Sequence, residues 1–298
     1  MARYADLALG SPIEIVAPIL VVAVAVGYVR RAATLSKRGS PVSLWRQICF
    51  ATGLLLLVVA DLPPMATVAE EIVVAHMVQH LLIADLVGLL VALGLTGPIL
   101  QPLLARRPFS WLRVLGNPLV ALPLWGLNLY LWHLSVLYEG VLDSSLLHLA
   151  QHAGFFTFGL AMWLPLVGPL PKPRWFGDAA KLGYIVAVRM LEAVLANVLI
   201  WSGTVLYPAY GAGQAEWVIS PLADQGAAGN VMMIWTGTVT LGLFVWLFFR
   251  AAGRSSERQE LIELAESHGY DLDPDRAGRA VAAGQGQRLR ERILGGGA

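Results

Sequence analysis

Two copies of one five-residue pattern carry four of the six histidines in this chain. Both copies read H-x-x-Q-H, and they occupy residues 76–80 and 148–152. Because residues four apart share one face of an α-helix, each copy presents two imidazoles to the same side, one turn apart. Helices use this spacing to offer paired histidine ligands to a metal ion. The pattern therefore predicts a metal site that includes His76, His80, His148 and His152.

The segments that carry these histidines are strongly apolar. Of the 298 residues, 57% are hydrophobic and only 14% are charged, which is far from the composition of a soluble domain. A helix needs about 20 apolar residues to cross the hydrocarbon core of a bilayer. Seven stretches reach or approach this length, and they predict an all-α, polytopic membrane protein with a bundle of seven transmembrane helices. We place these spans at residues 13–29, 45–62, 72–95, 118–134, 146–168, 182–206 and 230–250.

The charges of the loops predict the orientation of the spans. Lys and Arg follow the first, third, fifth and seventh spans, whereas the loops after the second, fourth and sixth spans hold acidic residues and no Lys or Arg. By the positive-inside rule, the N-terminus lies outside and the C-terminus is cytoplasmic. The cations are spread over several loops, which argues against a nucleic-acid partner. After a transmembrane domain of residues 1–250, the composition of residues 251–298 predicts a cytoplasmic tail that is partly helical or disordered.

This orientation brings five histidines to the outer side of the membrane. The third span begins there with His76 and His80, the fourth ends there at His133, and the fifth begins there with His148 and His152. Imidazoles from three helices at one depth indicate a metal or haem site. Imidazole suits copper, zinc and iron, so the residues alone leave the metal open.

Further residues could bind the ion or orient the imidazoles. Gln79 and Gln151 share the helix faces of their histidine pairs and could form hydrogen bonds to the rings. Asp224, in the loop before the seventh span, could do the same or bind the metal directly. Met77 and Met232 could supply thioether ligands if the metal is copper(I).

A second polar cluster is expected deeper in the membrane. Asp85 on the third span and Arg189 and Glu192 on the sixth lie at similar depths, with Asn128 nearby. We interpret this cluster as an ion pair that holds the helices together, with a proton path as the alternative. Asp85 follows His76 by nine residues, about half a turn round an α-helix, so we expect it to face away from the histidines.

Several motifs between residues 60 and 250 resemble those of one family of membrane proteins. Besides the two H-x-x-Q-H copies, they are Trp132-His133-Leu134, Leu137-Tyr138-Glu139, Trp163-Leu164-Pro165, Leu206-Tyr207-Pro208 and the run from Ser220 to Gln225. Together they resemble the CtaG family of bacterial integral-membrane assembly factors for caa-type cytochrome c oxidases. Ser135 and Gln151 depart from the family pattern, at positions where proline and an acidic residue are more usual.

The resemblance implies a non-enzymatic assembly factor in the bacterial cytoplasmic membrane, with haem-copper oxidase subunits as partners. Outward-facing histidines then suggest capture or delivery of copper, and an external copper chaperone could be a further partner. Two alternatives stay open: a haem-binding redox protein, and a metal transporter with Asp85, Glu192 and Asn128 along its route. A retinal protein is excluded because the seventh span contains no lysine.

Overall fold

The computed structural model describes residues 12–295, with side chains from residue 18 onward. Helices and the loops between them make up this part of the chain, and no β-strand occurs in it. The expected all-α fold is thereby confirmed. The expectation that the N-terminus lies outside the membrane concerns residues 1–11, which are not among the described residues.

We number the helices in chain order. They are α1 (Pro12–Lys37), α2 (Leu44–Ala60), α3 (Met65–Glu71), α4 (Val73–Leu81), α5 (Gly88–Gly94), α6 (Gly97–Leu104), α7 (Pro118–Trp132), α8 (Ser135–Gly140), α9 (Ser145–Val167), α10 (Asp178–Trp201), α11 (Gly211–Glu216), α12 (Pro221–Ser267), α13 (Pro274–Ala282) and α14 (Gly286–Leu294). A π-helical segment, Leu82–Val87, joins α4 to α5 without a break. Short 3₁₀ turns occupy Arg107–Gly116 and Pro208–Tyr210.

Four of these helical segments are long and apolar enough to cross a membrane: Pro18–Lys37, Val73–Gly94, Asp178–Trp201 and Pro221–Ser267. The number of candidate spans rises to six if each of two bent pairs forms one span. Helices α2 and α3 form the first pair, which is bent by 49°. The Arg107–Gly116 turn and α7 form the second, which is bent by 91°. Helix α9, at the fifth predicted span, is not among them because polar residues such as Gln151 and His152 lower its hydropathy. The chain is therefore a membrane protein, whereas the count of seven spans stays a prediction.

Contacts divide the chain into two compact units. The first holds the residues up to Gly177 together with Val186–Gly237, and the second holds Asp178–Ile185 and the residues from Thr238 onward. The histidine pairs and the predicted charge cluster all belong to the first unit. One apolar core of this unit is formed by α1, α2 and the π segment with α5, where Tyr28 stacks on Phe50 at a centroid distance of 3.8 Å.

The break before α4 fixes where the first histidine pair begins. Ile72 is extended (φ −136°, ψ 141°) and interrupts the helix between Glu71 and Val73. An isoleucine has no side-chain acceptor for the free backbone N–H groups of the next helix. The carboxylate of Asp224 supplies it, accepting from Val73 N at 2.8 Å and Val74 N at 3.0 Å. The position of His76, in the first turn of α4, therefore depends on a residue near the start of α12.

Glycines bring the two histidine helices close together. At Gly159 of α9, an added Cβ would lie 2.6 Å from the carbonyl oxygen of Ala84 in the π segment. At Gly154, it would lie 2.7 Å from Oδ1 of Asn128 on α7. Small residues allow close backbone approach between membrane helices. Helix α9, capped by Ser144, thus contacts both α4–α5 and α7.

In the second unit, the residues of the predicted tail form helices. Helix α12 continues to Ser267, and α13 and α14 follow it. Leu261, Ala265, Val281 and Ile293 contribute to an apolar core of these helices. The described part of the tail is thus largely helical, and the domain boundary at residue 250 and the cytoplasmic location stay predictions.

Candidate metal centre

The first histidine pair is buried at the start of α4. His76 and His80 are each 2% exposed, and their Nε2 atoms lie 2.8 Å apart. The other ring nitrogen of His76, Nδ1, lies 2.5 Å from the hydroxyl of Tyr210. Its Nε2 atom also lies 3.2 Å from Oε1 of Gln151 on α9. The first pair is therefore in direct contact with the helix that carries the second.

The second pair repeats this arrangement on α9. The Nε2 atoms of His148 and His152 are 3.1 Å apart. His152 Nδ1 lies 2.8 Å from Oδ1 of Asp61, at the end of α2. Because a carboxylate only accepts hydrogen bonds, Nδ1 of His152 donates to Asp61, which makes Nε2 the nitrogen that is available to a metal. Metal-binding histidines are commonly oriented by such a carboxylate.

The two pairs form one group, which we call the histidine cluster (His76, His80, His148 and His152). One ring nitrogen from each of His76, His80 and His152 lies within 4.8 Å of the other two. The ring of His148 is 6.0 Å from that of His76 between centroids, and it is the more exposed member of its pair. Nitrogens this close can converge on one ion, because metal–imidazole bonds are about 2.0 Å long.

His133 lies apart from the cluster at the end of α7. Its ring centroid is 6.4 Å from that of His80. Its Nδ1 donates to the carbonyl oxygen of Leu129 at 2.7 Å, so Nε2 carries the lone pair. His133 is 8% exposed, and its Nε2 has no hydrogen-bond partner among the described residues. It is therefore a free nitrogen ligand beside the cluster.

The predicted supporting residues differ in what they contact. Gln151 reaches an imidazole, that of His76 on the opposite helix. Gln79 does not orient its own pair; its amide donates to the carbonyl of Ala60 at 2.8 Å. Asp224 contacts backbone N–H groups of α4 and the amide of Gln214 at 2.8 Å, in place of the predicted contact with a histidine or metal. Its role here is to cap a helix.

Several residues near the cluster were missed by the sequence reasoning. Asp61 and Tyr210 bind the Nδ1 atoms of two histidines, and the Tyr138 ring stacks on His76 at 4.8 Å. Tyr207 stacks on Tyr138 at 4.1 Å and donates to the carbonyl of His133 at 3.0 Å. Burial raises the pKa of the Tyr138 and Tyr207 phenols, so both remain protonated at neutral pH. Tyr138 and Tyr207 stand in the motifs Leu137-Tyr138-Glu139 and Leu206-Tyr207-Pro208, whereas no motif contains Asp61 or Tyr210.

The predicted charge cluster is present in the first unit. Arg189 pairs with Glu192 one helical turn away, and its Nη1 lies 3.8 Å from Oδ2 of Asp85. Glu192 also accepts from the indole N–H of Trp125 at 3.2 Å. Asp85 and Glu192 are 2% and 1% exposed. Two buried carboxyl groups thus share one guanidinium.

Asp85 does not face away from the histidines, contrary to expectation. It lines a small cavity together with His80 and His133. The half-turn offset assumed an unbroken α-helix, whereas Leu82–Val87 is π-helical. In a π-helix the hydrogen bonds join residues five apart, which rotates Asp85 back toward the face of His80. Such π segments recur at functional sites.

Together these contacts make a buried, nitrogen-rich site with oriented rings. Two of the five histidines have Nδ1 bound to a carboxylate or a carbonyl, and a third contacts a phenol. The one cysteine of the chain, Cys49, lies on α2 and is not part of the group. Imidazole without thiolate suits copper, zinc and iron.

Comparison with known proteins shows which family model matches this chain. The family model described as cytochrome c oxidase caa3 assembly factor (Caa3_CtaG) matches residues 26–254. Uncharacterized proteins of Mycobacterium bovis and Mycobacterium tuberculosis are 25% identical over 229 residues, covering 70% of this chain and 34% of each relative. The chain thus spans about a third of the length of these curated relatives. No solved structure matches the chain.

Proposed function

Because the chain belongs to the cytochrome c oxidase caa3 assembly factor family, we propose that it binds copper in the histidine cluster and delivers it to a haem-copper oxidase. It acts as a metallochaperone and not as an enzyme. The partners are oxidase subunits, with a copper chaperone outside the membrane as a source of the ion. The location is the cytoplasmic membrane of a bacterium, and the loop charges put the cluster on its outer side.

One observation carries the proposal. Nε2 of His152 faces the cluster while its Nδ1 is held by Asp61 at 2.8 Å, and the same ring belongs to the three-histidine group within 4.8 Å. A neutral imidazole held in this tautomer is ready to ligate without reorganisation. Both nitrogens are engaged in the rings of His76 and His152, so these rings are held in fixed orientations.

The site also has an accessible side at which an ion could be exchanged. His148 is partly exposed, and the side chain of Asp61 is 44% exposed. A chaperone must release its ion, so one accessible edge suits delivery better than a closed tetrahedral site. The cluster therefore combines buried ligands with an accessible histidine and carboxylate.

The haem alternative fits this geometry less well. The ring of His80 stacks on Phe155 at 4.1 Å, and that of His76 stacks on Tyr138 at 4.8 Å. Axial haem ligation needs a wide, flat space between two imidazoles, and these aromatic rings fill the space beside them.

The test is elemental analysis of the detergent-purified protein together with an absorption spectrum. Wild type is expected to carry at least one copper per chain without a haem band. A variant with alanine at all four cluster histidines should lose the copper. The matched control is His268→Ala, which removes the histidine of the tail. Absence of copper from the wild type after growth and purification with added copper would contradict the proposal.

A metal-transport role is the second candidate, and the shared cavity of His80 and Asp85 favours it. It predicts uptake of copper into sealed vesicles containing the protein, with loss of uptake in Asp85→Asn. Delivery to an oxidase without uptake would exclude it.

A further inference from the structure

A small cavity lies directly behind the histidine cluster in the first unit. Its volume is about 10 Å³, comparable to the space that one water molecule occupies. Its wall is formed by residues of α4, the π segment Leu82–Val87, α7, α9, α10 and α12, together with His133, which follows α7 directly. We call it the methionine-lined cavity, after Met77 and Met232, with His80, His133, Asp85 and Glu192 as its polar lining.

Two nitrogen atoms of this lining lack hydrogen bonds. They are Nδ1 of His80 and Nε2 of His133, and neither has a partner among the described residues. Both residues are more than nine-tenths buried. A buried polar atom without a partner costs about 1–3 kcal/mol. A ligand that accepts the lone pairs of these nitrogens removes that cost.

The distance between the two rings suits one ion between them. Their centroids are 6.4 Å apart. Two imidazoles bound to one metal in a nearly linear arrangement have centroids about 6 Å apart, because each metal–nitrogen bond is about 2.0 Å long. Two nitrogen ligands on opposite sides of the ion, with any thioether bound more weakly, suit copper(I) better than zinc or copper(II).

The remaining lining points to the same ion. Met77 and Met232 are each 1% exposed and line the cavity from α4 and α12. Thioethers are soft ligands that select copper(I) over zinc. Apolar filling alone would account for the methionines, but not for two unpartnered imidazole nitrogens beside them.

The charged lining of the cavity is compatible with a monovalent cation. Asp85 and Glu192 line the cavity, and Arg189 is the one cation that pairs with them among the described residues. With both carboxyl groups ionised, the three residues sum to one negative charge, which a buried site must balance by a proton or a cation. A copper(I) ion in the cavity would bring this sum to zero.

We propose that the methionine-lined cavity is a second copper(I) site, with His80 and His133 as nitrogen ligands and Met77 and Met232 as sulfur ligands. Its identification as a copper site rests on the proposed function. A neutral imidazole has one lone pair, so His80 serves the cluster through Nε2 or the cavity through Nδ1. The proton moves to the other nitrogen in each case. His80 is therefore the residue through which an ion passes between the two positions.

The experiment is an anaerobic titration of the full-length purified protein with copper(I) and, separately, with zinc(II). X-ray absorption at the copper edge then detects sulfur ligands. Wild type should bind two copper(I) ions per chain, one in the cavity with His80 as a ligand and one at the other three histidines of the cluster, with sulfur scattering in the copper form. It should bind one zinc(II) ion. The double variant Met77→Leu/Met232→Leu should lose one copper(I) equivalent and the sulfur signal while it keeps zinc. His133→Leu should lose the same equivalent.

The matched control is Met233→Leu, since Met233 is adjacent to Met232 and does not line the cavity. Leucine and methionine have similar volumes, so these variants are expected to fold. One copper equivalent in the wild type, without sulfur scattering and lost in His148→Ala/His152→Ala, would overturn the second site and leave the proposed function standing. Failure to bind copper at all would overturn both.

Discussion

The Asp61 carboxylate accepts a hydrogen bond from Nδ1 of His152 across 91 residues of chain, at 2.8 Å. Asp61 follows α2 directly, where Pro63 and Pro64 prevent the helix from continuing. The end of one helix thereby sets the tautomer of a ring on another. This pair links the position of α2 to the ability of His152 to ligate through Nε2.

We expect Asp61→Asn to weaken metal binding by about 10–100-fold, the range for removal of a carboxylate that orients a ligating histidine. The neutral amide no longer favours the protonated Nδ1 to the same extent. The measurement is a competition titration against a chelator of known affinity. Asp143→Asn is the control, because Asp143 is an exposed acid of the loop before α9. Equal losses in both variants would argue against the orienting role.

Tyr210→Phe tests the corresponding contact of His76. Removal of the hydroxyl leaves Nδ1 of His76 without the partner it has at 2.5 Å, so we expect about a tenfold or greater rise in Kd for the metal. Tyr130→Phe serves for comparison, since its hydroxyl donates to the carbonyl of Leu191 at 2.9 Å and does not touch a histidine. An unchanged Kd in Tyr210→Phe would show that the phenol does not orient His76 for metal binding.

Asp224→Ala should lower both stability and metal affinity. It removes the acceptor for the backbone N–H groups of Val73 and Val74, and loss of a helix cap costs about 0.5–2 kcal/mol. Because α4 begins at these residues, fraying would displace His76. Thermal unfolding in detergent and the metal titration are the two measurements, with the exposed Glu216→Gln as control. A lowered melting temperature with unchanged metal affinity would show that the helix cap stabilises the protein without affecting the metal site.

Part of this arrangement could be read from the sequence, and part could not. The four-residue spacing of His76 and His80, and of His148 and His152, reports a local helical geometry, so the pairs were predictable. The contacts of Asp61 and Tyr210 join residues 91 and 134 positions apart, and no local pattern encodes such a separation. The family resemblance, confirmed by the match over residues 26–254, supplied the assembly role that the residue types alone did not.

The position of Asp85 shows that α-helical periodicity alone can give the wrong face for a residue. A half-turn offset from His76 holds only while the helix stays α-helical, and Leu82–Val87 is π-helical. Apart from Asp85, this segment consists of ordinary apolar residues, so its composition gives no sign of the change. The packing of Ala84 against Gly159 of α9 accompanies it. Asp224 is a related case, because its carboxylate accepts from the backbone at a helix start that only the break at Ile72 creates.

Arg189→Met should destabilise the protein strongly. It leaves Asp85 and Glu192 buried without their cation, and breaking a buried pair from one side costs about 3–5 kcal/mol. Arg254→Met removes the partner of Asp178 at a more exposed site of the second unit, where about 0–1 kcal/mol is expected. Thermal unfolding of both variants in the same detergent makes the comparison. Similar melting temperatures would mean that both carboxyl groups are neutral once the guanidinium is removed, so that no uncompensated charge is left buried.

Gly159→Ala tests whether close helix approach assembles the site. The added methyl group would lie 2.6 Å from the carbonyl oxygen of Ala84, so α9 must move away from the π segment and carry His148 and His152 with it. We expect a lower melting temperature and weaker metal binding together. Gly237→Ala is the control, because nothing lies within 4 Å of a Cβ there; an alanine in that helix should stabilise it by about 0.5–1 kcal/mol. If Gly159→Ala lowers stability but binds metal as wild type does, the histidine cluster tolerates displacement of α9, and its geometry is set by the contacts of Asp61 and Tyr210.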